Sequence, residues 1–166
     1  MTILPRLFLM FFALSSAIIF AQGYQYKTIE DFPTIEDFGS AEEFEVYYQK
    51  YLKDCLGNTF GGSAGIPCFI GYELWDRELN TYYQKLKDVL DEATFIKLRD
   101  SERAWITERD LTIETAKMLA QKYLDAGGTA YQLIYAGTIE DISVPIMKHR
   151  TLILIALLEL YESEAN

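Results

Sequence analysis

The chain has 166 residues, which is enough for one domain with a single hydrophobic core. Its net charge of −10 at pH 7 argues against a general role in nucleic-acid binding, because an acidic surface repels phosphate backbones. Such a surface attracts cationic partners and speeds their association, although it also serves plain solubility.

The N-terminus has the order of a secretory signal peptide. Arg6 precedes the apolar run 7–20, small residues follow, and we expect cleavage after Ala21. The alternative is a transmembrane anchor, but the run is shorter than the ~20 apolar residues of a span, and two serines interrupt it. Removing residues 1–21 takes away one cation and no acidic residue, so the net charge becomes −11. We therefore expect a periplasmic or secreted protein without a stable membrane anchor.

Residues 22–39 form an acidic N-terminal arm that contains the tandem TIEDF-P-TIEDF. Two such short copies do not make a solenoid. The acidic residues and Pro33 favour an extended, mobile arm. Phe32 and Phe38 offer the alternative, in which the arm docks on the domain or on a partner.

Apolar spacing and caps predict the helices of the remaining domain, residues 40–166. The first begins at Ser40, with a capping box, and ends near Asp54. Pro67 is expected in the first turn of the second, which stops at Asp91. The third covers about residues 93–126 and closes at Gly127-Gly128. Boundaries further along the chain depend on one ambiguous segment.

Residues 129–141 fit either a short helix or a loop, and Pro145 could open the last helix. The run 152–160 is apolar nearly all round, which predicts a place in the centre of a bundle. No segment alternates with period two for long enough to form a strand. The expected fold class is all-α, an antiparallel bundle of four to five helices with one disulfide-closed loop.

The two cysteines of the expected mature chain, Cys55 and Cys68, favour a disulfide, because an exported protein with an even count usually pairs them. Closing a loop of this size should stabilise the fold by ~3 kcal/mol. Metal binding is the competitor. Two thiols with the distant His149 make a poor ligand set, so we expect no metal.

The string LRDSERAWITERD concentrates charge around a tryptophan. On a helix, Glu102, Trp105 and Arg109 share one face, and a buried guanidinium requires a carboxylate partner. We predict a structural polar network of Asp76, Glu102, Arg109 and Arg150 between helices. The alternative, acid–base catalysis by paired carboxylates, lacks a nucleophile arrangement, and GGSAG lacks the lysine of a P-loop. We therefore expect no catalytic residue and no cofactor.

Several motifs in this order resemble the bacterial LprI-like family, which is named for a lysozyme inhibitor. They are Cys55…Cys68, Asp76-x-x-Leu79-Asn80-x-x-Tyr83-x-x-Leu86, Leu98-Arg99-x-Ser101-x-Arg103-Ala104-Trp105-Ile106-x-x-Arg109-Asp110, Gly127-Gly128 and Arg150-Thr151-x-x-Leu154. The resemblance covers about residues 55–158 and implies an exported, mostly helical domain without catalytic activity. Members often carry a second cysteine pair, whose places fall at Ile113 and Ile142. That change predicts a buried contact instead of the crosslink.

Two functions follow from these observations. The first is inhibition of lysozyme or another cell-wall hydrolase, with a cationic enzyme steered to the acidic surface. The predicted partner-binding residues are Asn58, Phe60 and Ser63 in the disulfide loop, and Glu36, Asp37, Glu42 and Glu43 near the arm. The loop as a mere connector is the alternative interpretation. The second function is an envelope protein-interaction or stress-tolerance module with an unknown partner, which the many tyrosines favour.

Overall fold

The computed structural model describes residues 24–165, and the predicted signal peptide over 1–21 lies outside them. The α-helices are α1 (Ala41–Asn58), α2 (Gly71–Val89), α3 (Glu92–Ala126) and α4 (Thr129–Ala165), with 3₁₀-helices at Ile29–Asp31, Ile35–Asp37 and Gly62–Cys68. These residues contain no strand, so the predicted all-α class is confirmed. The predicted disulfide is also present, with the Cα atoms of Cys55 and Cys68 5.7 Å apart. Among residues 24–165, no helix combines the length and the apolar composition that a membrane span requires.

Helix α4 organises the bundle, because α2, α3 and the 3₁₀-helix Gly62–Cys68 all pack against it. Helix α1 joins through aromatic residues: the ring of Phe44 meets that of Trp75 edge to face, with centroids 5.2 Å apart. The largest fully buried side chains include Trp75, Tyr48, Phe44, Leu74, Leu86, Met147 and Leu154. The core therefore lies where α1, α2 and α4 meet.

Local capping explains three of the helix ends. Ser40 Oγ accepts the N–H of Glu43 at 3.2 Å, so the predicted start of α1 is confirmed. The carboxylate of Asp91 accepts the N–H groups of Ala93 and Thr94 and caps α3. At the other end of α3, Gly127 has φ 74°, a left-handed conformation that costs glycine little.

Both helix starts predicted from proline are wrong. Pro67 lies in the 3₁₀-helix that precedes α2. Pro145 lies inside α4, and the ambiguous segment 129–141 is the first part of that helix. The missing N–H of Pro145 leaves the carbonyl of Asp141 without its helical donor. Both residues are exposed, so water can satisfy that carbonyl.

The C-terminal part of α4 is less buried than its composition predicts. Leu154 and Leu158 are buried, whereas Leu157 and Leu160 are 41% and 57% exposed. The prediction of a central position for this apolar run is therefore wrong. One face of it packs on the bundle, and the opposite face is open to solvent.

The acidic arm is folded, contrary to the expected mobile segment. Each TIED string forms a 3₁₀ turn in which the aspartate accepts the N–H of the threonine three residues earlier. The distance is 2.7 Å for Thr28 with Asp31 and also for Thr34 with Asp37. Phe32, in the link between the two turns, is only 4% exposed. The alternative of a docked arm describes this segment.

Arg77 of α2 fastens the arm to the bundle. Its guanidinium donates to the carbonyls of Ile29 and Phe32 at 2.9 Å and to that of Pro33 at 2.8 Å. The same guanidinium pairs with the fully buried Glu78 at 2.6 Å. Glu78 in turn accepts the backbone N–H of Ile35 at 3.1 Å. The arm is thus held by charge-assisted hydrogen bonds and by apolar burial.

Candidate partner-binding site

A glycine-rich segment, residues 62–71, runs along one face of α4. Contacts recur at steps of four, four and three residues of α4, pairing Gly62 with Thr129, Gly65 with Leu133, Phe69 with Gly137 and Gly71 with Glu140. A Cβ at Gly65 would lie 2.8 Å from a methyl group of Leu133, and one at Gly71 would lie 2.6 Å from a carboxylate oxygen of Glu140. The glycines therefore allow this segment to pack closely on α4, so much of the disulfide loop is held against that helix.

The loop presents one large apolar side chain to solvent. Phe60 is 102% exposed, just before Gly61 and Gly62, whose φ angles are 76° and 56°. The disulfide holds the loop on one side, and Tyr26 of the arm donates its hydroxyl to the carbonyl of Ala64 at 2.6 Å on the other. Phe60 therefore extends from a loop that the disulfide and the Tyr26 hydrogen bond hold in place.

The other predicted residues of the loop have local roles. Asn58 donates its side-chain N–H to the carbonyl of Asp54 at 2.7 Å, at the last turn of α1. Ser63 is half-buried in the 3₁₀-helix. Phe60 is therefore the member of this set that is most accessible to a partner.

The predicted acidic residues lie at the opposite end of α1 from the loop. Glu42 and Glu43 are exposed in its first turn, and the loop begins after its last turn. A helix of 18 residues separates the two ends by about 27 Å at 1.5 Å per residue. Glu36 and Asp37 lie in the arm beside that first turn, where Glu36 pairs with Lys85. The structure thus divides the predicted partner-binding residues into two separate surfaces.

Of the predicted polar network, the structure brings Glu102 and Arg150 together. Nε and Nη2 of Arg150 lie 2.8 and 2.7 Å from Oε1 of Glu102, and Nη2 also donates to Ser101 Oγ at 2.8 Å. The side chains of Glu102 and Arg150 are only 8% and 11% exposed. This buried ion pair connects α3 to α4.

The other two members have different partners. Arg109 pairs with its neighbour Asp110 at 2.7 Å, and Asp76 accepts a hydrogen bond from Asn80 at 3.1 Å. Within residues 24–165, neither one forms an ion pair with Glu102 or Arg150. Arg109 is instead linked through the ring of Trp105, whose centroid lies 5.1 Å from its guanidinium and 5.6 Å from that of Arg150.

Sequence reasoning missed the buried carboxylate of Glu78, although a signal for it existed. Glu78 is three residues after Trp75 and four before Tyr82, so helical spacing alone places it on the buried face of α2. Glu140 was missed for a different reason, because the sequence did not decide whether residues 129–141 form a helix or a loop.

A cleft of about 560 Å³ opens where the third 3₁₀-helix, α2, α3 and α4 meet. Aromatic and aliphatic side chains form its walls, and four carboxylates and one lysine lie among them. The described lining includes Phe69, Tyr72, Glu73, Asp110, Ile113, Glu114, Lys117, Tyr135 and Glu140. Ile113 is half-buried there, whereas Ile142 is 36% exposed on α4. The predicted buried contact between these two isoleucines is therefore wrong.

Glu140 is the buried carboxylate of this cleft. It accepts the hydroxyl of Tyr48 from α1 and the backbone N–H of Gly71 at 2.8 Å. Burial raises the pKa of Glu140 above its ordinary value of 4.5, and the hydrogen bonds from Tyr48 and Gly71 only partly oppose this rise. Burial, together with the nearby charge of Glu140, raises the pKa of the Tyr48 hydroxyl. The carboxyl group of Glu140 thus links α1, α2 and α4. Its burial costs free energy, and this cost is larger when the group is ionised.

Replacement of Glu140 with glutamine should change how stability depends on pH. The raised pKa means that the folded protein binds this proton more tightly than the unfolded chain does. The stabilisation is fully present below the ordinary value of 4.5 and is lost as the pH rises through the folded value. Glutamine keeps an acceptor for Tyr48 and Gly71 and does not ionise. Melting temperatures should therefore diverge in favour of Glu140→Gln between about pH 4.5 and pH 7.

The exposed Glu42→Gln serves as the control for this measurement, because it removes one carboxylate without changing a buried one. Parallel melting curves for wild type and Glu140→Gln across that range would contradict the expected shift.

The fold and the site define a small helical domain that is closed by one disulfide and displays an apolar loop tip and an acidic, aromatic cleft. Residues 70–145 match the family model described as lysozyme inhibitor LprI. The resemblance predicted from the sequence is confirmed over this segment, which is shorter than the expected 55–158. No curated protein and no solved structure matches the chain. The matched segment covers α2, α3 and the first part of α4, whereas Phe60, the disulfide and Arg150 lie outside it.

Proposed function

We propose that the protein is an exported, non-enzymatic inhibitor of lysozyme or of another cell-wall hydrolase. The observation that carries the proposal is the match of residues 70–145 to the lysozyme inhibitor LprI family. The net charge of −10 supports it, because lysozymes are typically cationic and an acidic surface would steer them into contact. This steering should weaken as salt rises.

Phe60 is the residue that we propose for insertion into the enzyme. An enclosed phenylalanine side chain buries roughly 150–250 Å² of surface area, and Phe60 is fully exposed in the free protein. The disulfide and the packed glycine-rich segment restrict the loop before binding, so less conformational entropy is lost in the complex. An exposed aromatic residue on a braced loop is well suited to become a binding hot spot.

Replacement of Phe60 with alanine should weaken inhibition by about 30-fold, which corresponds to the ~2 kcal/mol typical of a hot-spot aromatic residue. The measurement is the lysis of cell walls by a panel of lysozymes in the presence of the chain without residues 1–21. Val46→Ala is the control, since Val46 is an exposed apolar residue in the second turn of α1, away from the disulfide loop.

Undiminished lysis with every lysozyme would reject the inhibitor function. Equal inhibition by wild type and Phe60→Ala would keep the function and remove Phe60 from the interface.

The second candidate is an envelope interaction module with another protein partner. It is favoured by exposed apolar residues on α3, where Leu111, Met118 and Leu119 are 60%, 72% and 73% exposed. A pulldown from envelope extract separates the two functions. Recovery of hydrolases would support inhibition, and recovery of other proteins with no hydrolase would support the interaction module.

A further inference from the structure

The cleft between α2, α3 and α4 carries an excess of negative charge. Its lining contains four carboxylates and one cation, Lys117. Asp110 is paired with Arg109, and Glu140 is buried and hydrogen-bonded. In the chain from 24 to 165, Glu73 and Glu114 have no cation within ion-pairing distance. No ion pair within the described residues therefore neutralises these two exposed carboxylates, and apolar side chains lie beside them in the cleft.

Aromatic side chains line the same cleft. Phe69 follows the third 3₁₀-helix, Tyr72 lies in the first turn of α2, and Tyr135 projects from α4. Ring faces attract cations, and aliphatic stems pack well on aromatic surfaces. The volume of about 560 Å³ falls in the range of roughly 300–1,000 Å³ that ligand clefts occupy.

We infer that this cleft holds a lysine or arginine side chain of the partner, with the cationic head among the carboxylates and the aliphatic stem on the aromatic rings. The inference rests on the proposed function in one respect, because the partner that supplies the side chain is a cationic hydrolase. Burial raises the pKa of Glu140, the charge of Glu73 adds to this rise, and a cation in the cleft would offset that repulsion. A neutral side chain of the same shape would leave that repulsion in place.

The test uses a small probe and needs no hydrolase. The chain labelled with ¹⁵N is titrated with Nα-acetyl-arginine amide, and amide shifts are followed by NMR. The neutral analogue Nα-acetyl-citrulline amide has nearly the same shape and lacks the charge. We expect saturable shifts from the arginine probe on the segments around Tyr72, Glu114 and Tyr135, and at least several-fold weaker ones from citrulline.

The double variant Glu73→Gln/Glu114→Gln should weaken binding of the arginine probe by about tenfold, since each exposed charge contributes up to ~1 kcal/mol. Both residues are exposed, so the fold should survive this change. Glu42→Gln/Glu108→Gln is the matched control. It also removes two exposed carboxylates, and both lie outside the lining of the cleft.

Three results would overturn the inference: no saturable binding of the arginine probe, equal binding of citrulline, or equal binding by the double variant. Inhibition assays separate this outcome from the proposed function. A hydrolase inhibited equally by wild type and the double variant would reject the cleft and keep the function. Specific binding of the probe without inhibition of any hydrolase would keep the cation site and reject the function.

Discussion

Replacement of Arg77 with methionine is expected to lower the free energy of unfolding by about 3–5 kcal/mol. The change strands the carboxylate of Glu78, which is fully buried and pairs with Arg77 at 2.6 Å. It also removes three hydrogen bonds to the carbonyls of the arm. The buried carboxylate would keep the hydrogen bond from the N–H of Ile35 but lose the cation that neutralises it, so the effect should far exceed that of a surface pair.

Urea unfolding measures this loss, and limited proteolysis shows whether residues 24–39 are released. Lys85→Met is the control, because Lys85 lies on the same helix and pairs with Glu36 of the same arm at the surface. That variant should lose less than about 1 kcal/mol. An Arg77→Met protein that unfolds at the wild-type urea concentration would show that the buried pair is not needed for stability.

The pair formed by Glu102 and Arg150 should give an effect of similar size. Glu102→Leu is expected to lower the free energy of unfolding by about 3–5 kcal/mol, because it strands a guanidinium that is only 11% exposed. Ser101 still accepts one hydrogen bond but cannot neutralise the charge. The double variant Glu102→Leu/Arg150→Met should recover much of the loss, since apolar pairs often replace buried ion pairs without cost.

Arg109→Met tests whether the effect is specific to the buried pair. Arg109 pairs with the exposed Asp110 and contacts the ring of Trp105, so its replacement should cost about 1 kcal/mol. Chemical unfolding of the three variants measures the difference. A loss for Glu102→Leu no larger than that for Arg109→Met would contradict a stabilising role for the ion pair.

The helix boundaries that were predicted correctly depend on neighbouring residues. Ser40 caps α1 through a residue three positions away, and Gly127 ends α3 by its own backbone conformation. The exceptions are the prolines and the end of α1, which runs to Asn58 and not to the predicted Asp54. The effect of the prolines depends on whether water or another segment satisfies the freed carbonyl, and Pro145 lies on an exposed face of α4.

The site was predicted only in part, because its residues meet across long separations in the chain. Glu140 contacts Tyr48 across 92 positions, and Glu78 contacts Ile35 across 43. The partner choice of each arginine also depends on packing. Arg150 of α4 pairs with Glu102 of α3, whereas Arg109 pairs with its neighbour in the sequence, Asp110. Residue type predicts that a buried charge needs a partner, but only helix positions decide which one.

By itself, the sequence determined the all-α class, the caps at Ser40 and Gly127, the disulfide and the family resemblance, since each depends on short spacing or on residue chemistry. The tertiary structure decided that the acidic arm docks on Arg77, that residues 62–71 pack along α4, and that four elements enclose an acidic cleft. These features arise from close approach between distant segments. They are stabilised by many contacts between residues far apart in the chain, which no short sequence pattern predicts.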